Sequence, residues 1–129
     1  HVNFHLIDST TKKIRSVQEM ANELGLDNVS VYALRAENWD GKAHYAVSRA
    51  TAPLRDLWFW FNRVCIPFHP PPEAWPSGLI CLKGGNLTEE MAQLKRRFPQ
   101  VLIQQKPLFP LLGRPYFQEK VLMTVTAKP

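Results

Sequence analysis

His44-Tyr45-Ala46-Val47-Ser48-Arg49-Ala50-Thr51-Ala52-Pro53-Leu54 is the stretch from which the fold is read. A short apolar strand, Tyr45 to Val47, runs into Ser48-Arg49-Ala50. A helix opens almost at once at Pro53, because the first helical turn tolerates a residue without an N–H. In open α/β sheets ligands bind outside the carboxyl ends of the strands. An arginine at that point therefore faces a site rather than a core.

The same alternation extends in both directions. Upstream, Val2 to Ile7 reads as a buried strand that stops at Asp8-Ser9-Thr10, where Ser9 or Thr10 can cap a helix from Thr11 to about Leu24. Ile14, Val17, Met20, Ala21 and Leu24 fall on one face of that helix, and Gly25 ends it. Val29 to Leu34 is a second strand, followed by Arg35-Ala36-Glu37 and a turn at Asp40-Gly41.

Downstream, a helix runs from Pro53 through Val64, and a stiff proline-rich loop covers residues 67–78. Leu79 to Leu82 is a strand closed by Lys83-Gly84-Gly85, and Leu87 to Phe98 is a helix with Thr88 as its cap. Val101 to Gln104 and Val121 to Thr126 are strands joined by an excursion containing proline but no clear helix. Strands alternating with helices predict a mostly parallel sheet with right-handed crossovers. The last two strands predict an antiparallel edge.

With 129 residues the chain has the length of one domain, enough to bury about two thirds of its extended surface. Hydrophobic residues make up 45% and charged residues 21%, ordinary values for a globular protein. No stretch approaches the roughly 20 apolar residues of a membrane span. No signal-peptide pattern follows His1, and Cys65 and Cys81 read as free thiols buried as small hydrophobes, which together suggest a cytoplasmic protein. The four histidines lack metal-ligand spacing, so no metal is expected.

Charge is unevenly placed. Residues 1–90 hold 9 Lys/Arg against 10 Asp/Glu, whereas residues 91–129 hold 7 Lys/Arg against Glu119 alone. The basic excess is densest at Lys95-Arg96-Arg97, a face suited to a polyphosphate partner or to a solvated helix end.

Four further positions carry candidate chemistry. Asp8 ends a strand, where an acid can accept hydrogen bonds from ribose hydroxyls; Asp-Ser-Thr is also a helix cap. Ala36-Glu37 can offer a backbone N–H and a carboxylate to an adenine edge, or Glu37 can pair with Arg35. Arg49 can clamp a carboxylate or phosphate with two parallel hydrogen bonds, or pair with Asp40 or Asp56. Lys83 closes a strand on the same side of the sheet, where Gly84-Gly85 also reads as a turn. Trp58-Phe59-Trp60-Phe61 reads as core and interface, and Trp75 among prolines as a base-stacking candidate.

Leu6-Ile7-Asp8-Ser9 with Lys12-Lys13, Ala36-Glu37, Ser48-Arg49-Ala50 and Leu82-Lys83-Gly84 together resemble the 16S ribosomal RNA guanine-N7 methyltransferases, the glucose-inhibited division protein B family. The resemblance implies a Rossmann-like class I S-adenosylmethionine-dependent methyltransferase sheet, of which residues 1–129 are the C-terminal portion. It implies cofactor contacts from Asp8, Ser9, Ala36, Glu37 and Arg49. Lys83, Lys95, Arg96 and Arg97 would then meet 16S ribosomal RNA or the small ribosomal subunit.

No glycine fits a G-x-G-x-x-G cofactor turn, and the family's N-terminal part and the strand between the chain's first and third strands are missing. The fragment alone is therefore expected to be inactive. Two other functions fit the same residues: a non-catalytic RNA-binding fragment using the basic tail, or another Rossmann-type nucleotide enzyme.

Overall fold

A computed structural model describes residues 1–49, 52–68 and 71–128. Ala50, Thr51, His69 and Pro70, which belong to the two loops read above, and Pro129 lie outside the described residues. The chain forms two compact units, His1–Asp40 and Gly41–Pro129.

In the first unit, strand β1 (Phe4–Asp8) pairs in parallel with β2 (Val29–Ala33), and helix α1 (Thr11–Glu23) connects them. Gly25 follows α1 at φ +65°, a conformation that costs glycine little and other residues more. Ile14 and Ala21 are buried as their spacing predicted, but Met20 and Leu24 of the same expected face are exposed. Val2, Phe4 and Leu6 are exposed as well. A two-stranded sheet with one helix offers too little surface to cover them. His5, Tyr32 and Trp39 gather into an aromatic cluster, with the Tyr32 hydroxyl 3.1 Å from His5 Nδ1.

The second unit holds β3 (Tyr45–Ser48), α2 (Leu54–Asn62), β4 (Gly78–Gly84), α3 (Thr88–Arg97), β5 (Val101–Pro107), a short helix α4 (Phe109–Leu112) and β6 (Lys120–Ala127). Its sheet runs β3-β4-β6-β5. β3 and β4 are parallel, and β6 is antiparallel to both β4 and β5. The antiparallel strand thus lies inside the sheet, while the edge strand β5 points the same way as β4. This corrects the expected antiparallel edge. The ladder between β5 and β6 spans seven residue pairs, Val101↔Ala127 to Pro107↔Val121, which is why β5 outruns its expected end at Gln104.

The core of this unit follows the period of two along β4. Leu79, Cys81 and Lys83 share one face and are all buried, and Leu54, Trp58, Phe61 and Leu94 of the two helices are buried with them. Burial pushes the Cys81 thiol up to about 11, an inert thiol at neutral pH. Gly78 is required where β4 meets β6, because a Cβ there would collide with the Val125 carbonyl.

Two expected caps are replaced by neighbours. Thr88 is the first residue of α3, and Asn86 Oδ1 accepts its N–H at 3.0 Å. Neither Ser9 nor Thr10 caps α1 through its side chain; Asp8 Oδ1 accepts the Thr10 N–H at 2.7 Å. In both, an acceptor two residues back makes the Asx turn.

Candidate functional site

Asp8, the last residue of β1, carries an exposed carboxylate above the opening of α1. The Thr10 backbone N–H bonded to it holds the carboxyl below the ordinary Asp value of 3.8. The Thr10 side chain also hydrogen-bonds to this carboxylate, so the turn holds it through both backbone and side chain. Because the folded value is lowered, the stabilisation from this turn is complete above 3.8 and disappears as pH falls through the lower value. We expect a carbon-13 titration of Asp8 to show a midpoint below 3.8; a midpoint at or above it would mean that the turn is not formed in solution.

Ala36 and Glu37 begin a 3-10 turn, Ala36–Asn38, just past β2. The first N–H groups of such a turn have no partner within it and point outward. Arg35 Nη1 lies 3.7 Å from Glu37 Oε1, the surface pair that the sequence allowed, in an exposed position worth at most about 1 kcal/mol. Asp8, Ser9, Ala36 and Glu37 all belong to the first unit, at or beyond the carboxyl ends of its two parallel strands.

Arg49 belongs to the second unit and directly follows β3. It is exposed, and among the described residues its guanidinium has no ion pair or hydrogen bond. Asp56, one of the acids it was weighed against, lies 3.7 Å from Arg55 Nε instead. The parallel register Ser48↔Cys81 brings the end of β3 to the same side of the sheet as Lys83.

Lys83, expected to meet RNA, is placed in a paired, largely buried position. It is only 8% exposed, and its Nζ donates to Glu90 Oε1 at 2.6 Å and to the Ala52 carbonyl at 2.8 Å. The same Glu90 oxygen accepts the Leu54 N–H at 2.8 Å. One ion pair therefore joins β4, the first turn of α3, and the start of α2 at Ala52 and Leu54. The physical reason is strand parity: Lys83 is two residues from Cys81 and four from Leu79, on the inward face. That parity is visible in the sequence, as is an acid seven residues on; what the sequence does not show is that Glu90 turns toward β4.

The basic triplet ends α3. Arg96 pairs with Glu89 at 3.0 Å across an exposed face, and the Arg97 guanidinium stacks 4.5 Å from the Phe59 ring centroid. Lys95 is exposed. Exposed pairs of this kind exchange readily for a phosphate, since they contribute little. Trp75 is half exposed, and its carbonyl accepts the Tyr45 hydroxyl. Among the described residues no group of His, Cys, Asp and Glu is arranged to hold a metal ion, and no helix is long and apolar enough to cross a membrane.

Polar residues at the carboxyl ends of parallel strands, with helices as crossovers, define a Rossmann-like α/β protein. A solved rRNA methylase from Streptococcus thermophilus shares the fold, with a TM-score of 0.65 over 98% of this chain and 74% of that one, at 10% identity. The profile of the GidB family, rRNA small subunit methyltransferase G, matches residues 1–109, and the chain belongs to that family. The ribosomal RNA small subunit methyltransferase G of Salinibacter ruber is 48% identical over 121 residues, 92% of this chain and 56% of the relative. That of Bacteroides fragilis is 37% identical over 123 residues, 95% of this chain and 56% of the relative. The chain thus spans about half the length of the curated relatives it matches.

Proposed function

We propose that residues 1–129 form the C-terminal part of one methyltransferase domain, which in the complete gene product methylates guanine N7 of 16S ribosomal RNA in the cytoplasm. Family membership supports the class of reaction, and one observation carries the assignment to this chain. Arg49 stands exposed at the end of a parallel strand, with no ion pair or hydrogen bond among the described residues, in the Ser48-Arg49 of the family motif.

The residues fit S-adenosylmethionine. The carboxylate of Asp8 suits a ribose hydroxyl, with Ser9 beside it. The outward N–H of Ala36 and the carboxylate of Glu37 suit the acceptor and donor edge of adenine. Arg49 suits the methionine carboxylate, held by two parallel hydrogen bonds. When bound, the cofactor supplies a methyl group on a sulfonium, open to attack by a lone pair. Guanine N7 carries such a pair in the ring plane and no proton, so no acid or base is required of the protein. The work of these side chains is alignment, which converts an encounter of two molecules into a positioned reaction. Lys95, Arg96 and Arg97 hold phosphates of the RNA, and Lys83 acts through Glu90 and the Ala52 carbonyl by fixing the start of α2.

The test combines mapping with salt dependence. The complete gene product should methylate one guanine of 16S ribosomal RNA, and Lys95, Arg96 and Arg97 changed together to alanine should lower the yield at that same guanine. The slope of log affinity against log salt should shrink by about 0.7–0.9 for each phosphate that the variant no longer neutralises. An unchanged slope makes the triplet a solvated helix end. Methylation moved to another nucleotide contradicts the phosphate role, because phosphate-binding side chains position RNA without choosing the base. RNA binding without any methyl transfer would favour the non-catalytic reading.

A further inference from the structure

A cleft of about 350 Å³ lies at the carboxyl end of β4, bounded by Gly84, Gly85, Tyr116, Gln118, Glu119 and Lys120. Its size falls within the roughly 300–1,000 Å³ typical of ligand clefts. Tyr116 is 70% exposed, and its ring stands edge-on to Phe117 with centroids 5.0 Å apart. Lys120 Nζ lies 5.6 Å from the centre of the Tyr116 ring. Gly84 leaves room for that lysine: a Cβ at Gly84 would come within 3.1 Å of Nζ. Gly85 follows at φ +76°, so the strand turns away without a side chain to fill the space. None of these residues belongs to the cofactor set.

We propose, building on the methyl-transfer function above, that this cleft seats the acceptor guanine nucleotide. Tyr116 offers its ring as a stacking platform, the commonest way in which a protein holds an unpaired RNA base. Lys120 meets the phosphate of that nucleotide. Glu119 is the only acid in the basic segment 91–129, and it borders the same cleft. A carboxylate accepts two hydrogen bonds side by side. Guanine offers two such donors, N1–H and the exocyclic N2–H, on its Watson–Crick edge. Adenine offers one donor there and an acceptor that a carboxylate repels. Holding guanine by that edge leaves N7, on the opposite edge, free to be methylated.

The experiment is a nuclear magnetic resonance titration of the 129-residue chain with guanosine monophosphate, adenosine monophosphate and inorganic phosphate. Guanosine monophosphate should shift Gly84, Gly85 and Tyr116, and Tyr116→Ala should weaken both nucleotides about tenfold or more. Tyr116→Phe should keep their affinity, which separates stacking from any loss of fold. Glu119→Gln should abolish the preference for guanosine over adenosine monophosphate, and Lys120→Gln should weaken both and flatten their salt dependence.

Shifts confined to other residues overturn the proposal. So does phosphate binding as tightly as either nucleotide with no sensitivity to Tyr116→Ala. In the complete gene product, Tyr116→Ala should raise KM for RNA and leave KM for S-adenosylmethionine unchanged. Full activity with an unchanged RNA KM sinks this cleft while methyl transfer stands. A gene product that transfers no methyl group, although guanosine monophosphate still seats on Tyr116, sinks the function and keeps the cleft as a nucleotide site.

Discussion

Arg49→Ala in the complete gene product is expected to lose most of its methyl-transfer activity while melting at the temperature of the parent. Removing one half of a desolvated, hydrogen-bonded charge pair costs about 2–5 kcal/mol, a fall of roughly 30-fold to several thousand-fold in affinity. The loss should appear in calorimetric binding of S-adenosylmethionine, because the guanidinium is assigned to the methionine carboxylate. Stability should not change, since the side chain is exposed and has no ion pair or hydrogen bond among the described residues. Arg49→Lys should recover only part of the binding, because an ammonium keeps the charge without the planar fork. Full activity with unaltered cofactor affinity would reduce Arg49 to a surface charge and take the cofactor site with it.

Glu90→Ala has the larger structural consequence. It strands an ammonium that is 8% exposed, and it deprives the Leu54 N–H of its acceptor at the start of α2. Breaking a buried pair from one side costs about 3–5 kcal/mol, a drop of roughly 10–20 °C in Tm for a chain of this size. Lys83→Met combined with Glu90→Leu should regain most of that stability, since neither charge is then left alone. The double variant should still bind cofactor poorly, because nothing then ties the Ala52 carbonyl and the Leu54 N–H to β4 and α3. A Glu90→Ala protein that melts like the parent would show that the pair supports nothing. A stable double variant with parental cofactor affinity would show that it supports the fold but not Arg49.

Much of this architecture is local and could be read along the chain. The spacing of Ile14 and Ala21, the proline at 53 and the glycine at 25 fix helices because they act within a turn or two of backbone. Strand ends differ from the expected ones by up to three residues, and β3 to β6 are longer than expected because pairing extends a strand beyond its apolar centre. β5 shows the limit: Gln105 to Pro107 carry no strand signal and are extended because they pair with β6. Candidate residues were legible where the backbone alone presents them. Asp8, Ala36, Glu37 and Arg49 stand at strand ends in the structure as in the sequence.

Side-chain partners were not legible in the same way. Lys83 read as a free cation beside a glycine turn, and the fold turned it inward to Glu90. The sequence by itself determined the order of strands and helices, the uneven charge, and the family motifs, because these depend on residues close together in the chain. Only the tertiary structure decided that β6 lies between β4 and β5, that Lys83 is a support, and that Tyr116, Glu119 and Lys120 meet Gly84 in one cleft. Each of those depends on strands that lie far apart in sequence coming together, and no local pattern specifies which strand edge another will choose.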